Sequence, residues 1–228
     1  MVFILPKLRN GSSSKWSILL VGPCNAGKTS LFLRLKNGDS GQGTVTSMQP
    51  NEGFVKISQA DGQAPREVHV IDLPGHPRLE SFFFKNVNAA KGVIFMIDSI
   101  EFMPNKEEIA RQVYRLLSSP VIRGRGIPIL MACNKADGGA KAHTVDFIRK
   151  RLEKDIQDLY ASNHGLESIG SEKEQEHNFL FEGDSFKFSD LAVKRKFHKP
   201  LSVTFSKISV QDGDLEAVKD FCLNKCRI

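Results

Sequence analysis

The sequence predicts an α/β protein: a mostly parallel six-stranded sheet with helices on both faces. Three observations carry this. Short apolar runs alternate with stretches of helical periodicity along most of the chain. Two runs, 93–97 and 127–133, are apolar at almost every position, as in strands covered on both faces. Asp61-Gly62 marks a turn between two short strands, so one antiparallel step interrupts the parallel order.

The first strand is read at 16–21. A helix follows at 29–36, and Asn37-Gly38 supply its stop. Residues 39–51 are polar and Gly-rich and read as a loop. Strands follow at 54–57, 68–73 and 93–97. Asn105-Lys106-Glu107-Glu108 has the form of a capping box; the helix it opens carries Ile109, Val113, Leu116 and Leu117 on one face. After the strand at 127–133, Thr144 caps a long helix with a stripe of Val145, Ile148, Leu152, Ile156 and Leu159. A polar stretch, about 163–185, reads as a mobile insertion, because the residues beyond it are too few to make a core alone. The last strand is 201–205, and Leu215, Val218 and Phe221 line the closing helix. The organisation is one domain over 15–228, preceded by a segment at 1–14.

Of the 228 residues, 40% are hydrophobic and 25% charged, which excludes a disordered chain. Four cysteines in this length make no disulfide framework. The net charge of +6 gives no reason to expect direct nucleic-acid binding. No run reaches the roughly 20 apolar residues that span a bilayer. Residues 1–5 are apolar but end at Pro6, and Val2 excludes N-myristoylation.

Gly22-Pro23-Cys24-Asn25-Ala26-Gly27-Lys28-Thr29 fits G-x-x-x-x-G-K-[ST] between a strand and a helix. Such a loop turns its N–H groups inward around phosphate at the positive end of a helix. Lys28 places a cation on the β and γ phosphates, and the Thr29 hydroxyl is a ligand for Mg²⁺. Ser30 completes this nucleotide-binding stretch.

Asp72-Leu73-Pro74-Gly75 ends the third strand. A carboxylate at the tip of a buried strand needs a partner, and Asp72 is read as holding Mg²⁺ through water. Gly75 is free to bring its N–H to the γ-phosphate. Thr44 and Thr46, in the preceding loop, are both candidates to reach Mg²⁺; Thr46 leaves the longer reach from Lys28. His76 directly follows this D-x-x-G. Its imidazole either orients the attacking water or packs beside the nucleotide.

Asn134-Lys135-Ala136-Asp137 fits N-K-x-D. The Asp137 carboxylate accepts from N1–H and the exocyclic amine of guanine, donors that adenine lacks. Asn134 bridges the base edge to the phosphate loop, and the Lys135 stem covers the ring. After the last strand, Ile208-Ser209-Val210 could offer backbone N–H groups to the guanine oxygen; otherwise Ser209 is a helix cap. The cofactors expected are GTP and Mg²⁺. In a helix, Phe82-Phe83-Phe84 fan over about 200°, so at least one ring is expected at a protein interface.

The three ordered motifs resemble the Ras-like small GTPases, a P-loop NTPase fold of three layers. Thr44-Val45-Thr46-Ser47-Met48, Asp72-Leu73-Pro74-Gly75-His76, Phe95-Met96-Ile97-Asp98-Ser99 and Ala132-Cys133-Asn134-Lys135-Ala136-Asp137 look more narrowly like the β subunits of the signal recognition particle receptor. That resemblance implies a GTP-binding partner of the receptor α subunit at the cytosolic face of the endoplasmic reticulum membrane. Its links to ribosome, signal recognition particle and translocon would be indirect. Many such GTPases place Gln directly after D-x-x-G to orient the attacking water; with His76 there and no residue identifiable as an arginine finger, tight GTP binding with slow hydrolysis is expected. Membrane association rests on the resemblance alone. The competing reading is a vesicle-trafficking switch of the Arf or Sar type; a metabolic P-loop kinase has no use for N-K-x-D.

Overall fold

The computed structural model describes residues 16–38, 48–58, 64–76, 81–164, 185–193 and 199–225. Six strands form one sheet: β1 (Ser17–Val21), β2 (Asn51–Ile57), β3 (Arg66–Asp72), β4 (Ala90–Asp98), β5 (Ile129–Asn134) and β6 (Val203–Lys207). Their order is β2-β3-β1-β4-β5-β6, with β2 antiparallel to β3 and every other pair parallel. The helices are α1 (Lys28–Asn37), α2 (Ser81–Asn86), α3 (Phe102–Ser118), α4 (Pro120–Arg125), α5 (Val145–His164) and α6 (Glu216–Lys225).

Strand side chains alternate between faces, and both faces of this sheet are covered. Ile18, Leu20, Ile94, Met96, Leu130 and Ala132 point to a core closed by α1 and α6. Leu19, Phe95, Ile97, Ile129 and Met131 point the other way, to a larger core closed by α3, α4 and α5. This two-sided burial is why the central strands read as unbroken apolar runs. Parallel strands all end on the same edge, so β1, β3, β4 and β5 deliver the loops after Val21, Asp72, Asp98 and Asn134 to one rim of the sheet.

The fold class is the one expected, and several boundaries shift. β2 begins at Asn51, inside the stretch read as loop, because it pairs with β3 from Asn51↔Asp72 onward. Helix α3 starts at Phe102 and not at the capping-box motif. The Asp98 carboxylate accepts the N–H groups of Ile100 (2.9 Å) and Glu101 (3.1 Å) and turns the chain before the motif is reached. Asn105 therefore lies within the helix, its amide donating to Glu101 O. The Thr144 cap is present, with Phe147 N–H on its hydroxyl at 3.3 Å. Helix α4 was not anticipated, although Pro120 at its start and Gly126 (φ 65°) at its end are ordinary helix punctuation.

Residues 1–14, the Asp61-Gly62 turn and the insertion over 165–184 lie outside the described residues. Just past the insertion, Phe186, Phe188 and Leu191 are buried in the larger core. The Phe188 ring meets Phe186 and Phe205 edge-on, with centroids 5.1 and 4.9 Å apart. Its N–H donates to the Glu153 carboxylate on α5 at 3.0 Å. The chain is thus fastened again before β6. A Phe188→Ala chain should lose about 3 kcal/mol of stability in chemical denaturation; a loss under about 1 kcal/mol would mean this fastening is not part of the core.

Candidate functional site

The loop between β1 and α1 takes its shape from two glycines and an asparagine. Gly22 (φ 132°), Asn25 (φ 63°) and Gly27 (φ 93°) all have positive φ. A Cβ on Gly22 would strike the Met96 carbonyl of β4, so the loop can lie this close to the strand only with glycine there. The curled loop holds Lys28 Nζ between the carbonyls of Gly22 (2.9 Å) and Pro23 (2.7 Å). An ammonium has three donors, and these contacts use two. Lys28 is buried, and that burial pushes its pKa down, with Asp72 and Cys24 opposing the shift. Gly75 lies against the same group: a Cβ on it would stand 2.6 Å from Lys28 Nζ and 2.7 Å from Cys24 N. The loop from β3 thus reaches the phosphate loop at the residue without a side chain.

Beside Lys28 sits Asp72, at the end of β3 and 1% exposed. Its Oδ2 accepts from the Thr29 hydroxyl (2.7 Å) and the Asn51 amide (3.0 Å). Its Oδ1 is buried and has no hydrogen-bond partner among the described residues. Burial raises the Asp72 pKa; the bonds from Asn51 and Thr29 and the charge of Lys28 oppose this. A buried, unpartnered carboxylate oxygen beside a hydroxyl suits a hard divalent cation. Thr29 and Asp72 are the side chains here that fit Mg²⁺. Among the described residues no cluster of three or more His, Cys, Asp or Glu forms a closed metal site. Such an ion would therefore depend on phosphate and water for most of its ligands.

The third element is built on β5. Asn134 is 3% exposed. Its amide donates to Ala26 O in the phosphate loop (2.9 Å), and its carbonyl accepts the Val210 N–H (3.1 Å). Lys135 (φ 63°) turns the chain outward and pairs through Nζ with Asp98 at the end of β4. Asp137 is exposed, and its Oδ1 accepts the Ser209 hydroxyl at 2.7 Å. Asp98 was not anticipated as a site residue, yet it both positions Lys135 and caps the turn into α3; a lone buried acid ending a central strand was the signal available. A cavity of about 650 Å³ runs along the phosphate loop, lined by Cys24, Asn25, Gly75, Asp98, Glu108 and Lys135 among others.

Two expectations meet a different geometry. The N–H groups of Ile208, Ser209 and Val210 all bond within the protein, to Cys133 O, Asp214 O and Asn134 Oδ1. Ser209 contributes instead through its hydroxyl. His76 is exposed and lies on a second, apolar cavity of about 290 Å³ with Leu73, Phe83, Phe84, Phe95 and Leu116. Thr44 and Thr46 lie outside the described residues. In α2, Phe82 and Phe83 pack on the core while Phe84 stays 61% exposed.

The phosphate loop, the β3 loop and the Asn134 element all fall within residues 13–194, the span matched by the family model described as signal recognition particle receptor beta subunit. The chain belongs to that family. The signal recognition particle receptor subunit beta of Rattus norvegicus is 31% identical over 187 residues, covering 81% of this chain and 68% of the relative. A chain of the mammalian signal recognition particle receptor superposes with a TM-score of 0.75 at 28% identity, covering 92% of this chain and all of the relative. A chain of the receptor SRb-GTP/SRX complex from Chaetomium thermophilum has the same fold, with a TM-score of 0.68 at 21% identity over 93% of this chain and 98% of that one.

Asp72 yields a signed pH prediction. Its raised folded pKa means its contribution to stability is complete below the usual carboxylate range and is lost as pH rises through the raised value. Asp72→Asn removes that loss. The stability of the variant relative to the parent should therefore increase from pH 4 to pH 7 in chemical denaturation of the nucleotide-free chains; a constant difference would contradict it.

Proposed function

We propose that this chain binds GTP with Mg²⁺ and, in that state, binds the α subunit of the signal recognition particle receptor. It would act at the cytosolic face of the endoplasmic reticulum membrane in delivering ribosomes that make secretory proteins. The observation that carries the reading is the arrangement around Asn134. Its amide fixes the phosphate loop while its carbonyl fixes the loop that holds Asp137. A triphosphate cradle and a base-reading acid are thereby set at one separation. Residues 22–30 receive the phosphates, with Lys28 as the cation and Gly75 beside it. Thr29 and Asp72 hold Mg²⁺, joined by Thr46 from the loop ahead of β2. Lys135 covers the base, and Asp137, held at Oδ1 by the Ser209 hydroxyl, reads its N1–H and exocyclic amine.

Family membership supports the receptor role over a vesicle-coat role. The Chaetomium thermophilum relative is described as SRb-GTP in complex with SRX, which supports both nucleotide and partner class. No helix among the described residues is long and apolar enough to cross a membrane. Hydrolysis is slow in this reading, since His76 opens toward the cavity under α2.

Isothermal calorimetry with Mg²⁺ should show GTP binding far more tightly than ATP; no heat with GTP, or equal affinity for ATP, would remove the reading. Asp137→Asn supplies the sharper check. An amide there can donate to the second carbonyl of xanthine, so preference should move toward xanthine nucleotides.

The interface has its own test. Phe84→Ser should weaken capture of the α subunit in the GTP state while stability stays within about 0.5 kcal/mol, as at exposed positions. Undiminished capture would remove α2 from the interface.

A further inference from the structure

We propose that Arg34, on the phosphate-binding helix, is a positioning residue for the base-reading carboxylate of Asp137, acting through one peptide group and one hydroxyl. Arg34 lies in the second turn of α1. Its Nη1 donates to the carbonyls of Val210 (2.7 Å) and Gln211 (2.8 Å), in the turn after β6. A trans peptide is planar, so its C=O and N–H point in opposite directions. The peptide whose carbonyl is Gln211 O carries the Asp212 N–H at its other end. That N–H donates to Ser209 Oγ at 3.0 Å. The Ser209 hydroxyl, with a lone pair so engaged, donates its proton to Asp137 Oδ1 at 2.7 Å.

Three hydrogen bonds thus run in one sense from a guanidinium to a carboxylate. The cation draws density from the carbonyl and makes the peptide N–H a stronger donor. A hydroxyl that accepts a strong bond donates better in turn. The remaining lone pairs of the Asp137 carboxylate are left for an incoming pair of donors, with its orientation set from α1. The turn is shaped to receive the guanidinium: Gly213 has φ +83°, and a Cβ on it would stand 2.7 Å from Arg34 Nη2. The tethers to Asn134, Asp137 and Cys133 come from β5 and the turn that follows it. Arg34 adds one from the helix that also carries Lys28 and Thr29. Base recognition is in this way fastened to the phosphate side by a route that bypasses Asn134. The proposal takes guanine recognition by Asp137 from the reading above.

The test has an arm that needs no nucleotide. In the nucleotide-free chain, Arg34→Ala should make the Asp212 and Gly213 amides exchange hydrogen about tenfold faster while β5 amides keep their protection. Unchanged exchange at Asp212 overturns the proposal. In the loaded chain, Arg34→Ala should release GDP about tenfold faster. It should also lower the preference for GDP over IDP, which lacks the exocyclic amine, while the GTP:GDP ratio stays within about twofold. Arg34→Lys, which keeps the charge without the planar fork, should restore part of the preference. In a Ser209→Ala background, Arg34→Ala should leave the GDP:IDP ratio unaltered. Full additivity of the two changes, or loss of GTP and GDP binding together with a fall in melting temperature, overturns the relay. A parent chain that takes up no guanine nucleotide overturns the proposed function instead, and the exchange arm still decides on Arg34.

Discussion

One buried carboxamide holds the site together. Asn134 makes two hydrogen bonds in a place closed to water, one to the loop after β1 and one to the turn after β6. Each is a bond whose loss would leave a buried polar group unsatisfied, a penalty of about 1–3 kcal/mol. Neither loop belongs to a strand ladder, so neither has its place fixed by the sheet alone. The sheet brings the loops to one rim; Asn134 converts proximity into a defined spacing. The close approach of Gly27 belongs to the same constraint, since a Cβ there would collide with the Asn134 amide.

The charged groups obey a different logic. Lys28 and Asp72 are held in surroundings that disfavour their charges, as the directions of their pKa shifts show. A protein selected for stability alone would not leave Asp72 Oδ1 buried without a partner. Asp98 is buried too, but the half-buried Lys135 pairs with it, and the same carboxylate holds the turn into α3, so this pair sets placement. The division fits a site whose inner ions await a charged ligand and whose outer ion pair sets geometry.

The parts legible in the sequence were those with rigid spacing. Gly22, Gly27, Lys28 and Thr29 are fixed by the demands of one tight loop, and the apolar runs of β4 and β5 by burial on both faces. The helix starts were less legible because local signals compete. Asn105-Lys106-Glu107-Glu108 looks like a beginning, yet Asp98 four residues before α3 had already turned the chain. Backbone donors were the least legible. Nothing in Ile208-Ser209-Val210 announces that its N–H groups bond inward and that the serine hydroxyl faces Asp137. Arg34 is equally silent, because its partners lie at Val210 and Gln211, far along the chain.

The fastening at Phe186 and Phe188 bears on how this chain can change length. The polar stretch at 165–184 leaves from the end of α5 and returns to rings seated in the larger core. Its two ends are therefore pinned independently of what lies between. The entropy of closing a flexible loop grows only with the logarithm of its length, about 0.6 kcal/mol per doubling. At that rate a change in the number of residues between these two anchors costs the fold little, and a reporter or affinity module grafted between them would leave both anchors in place.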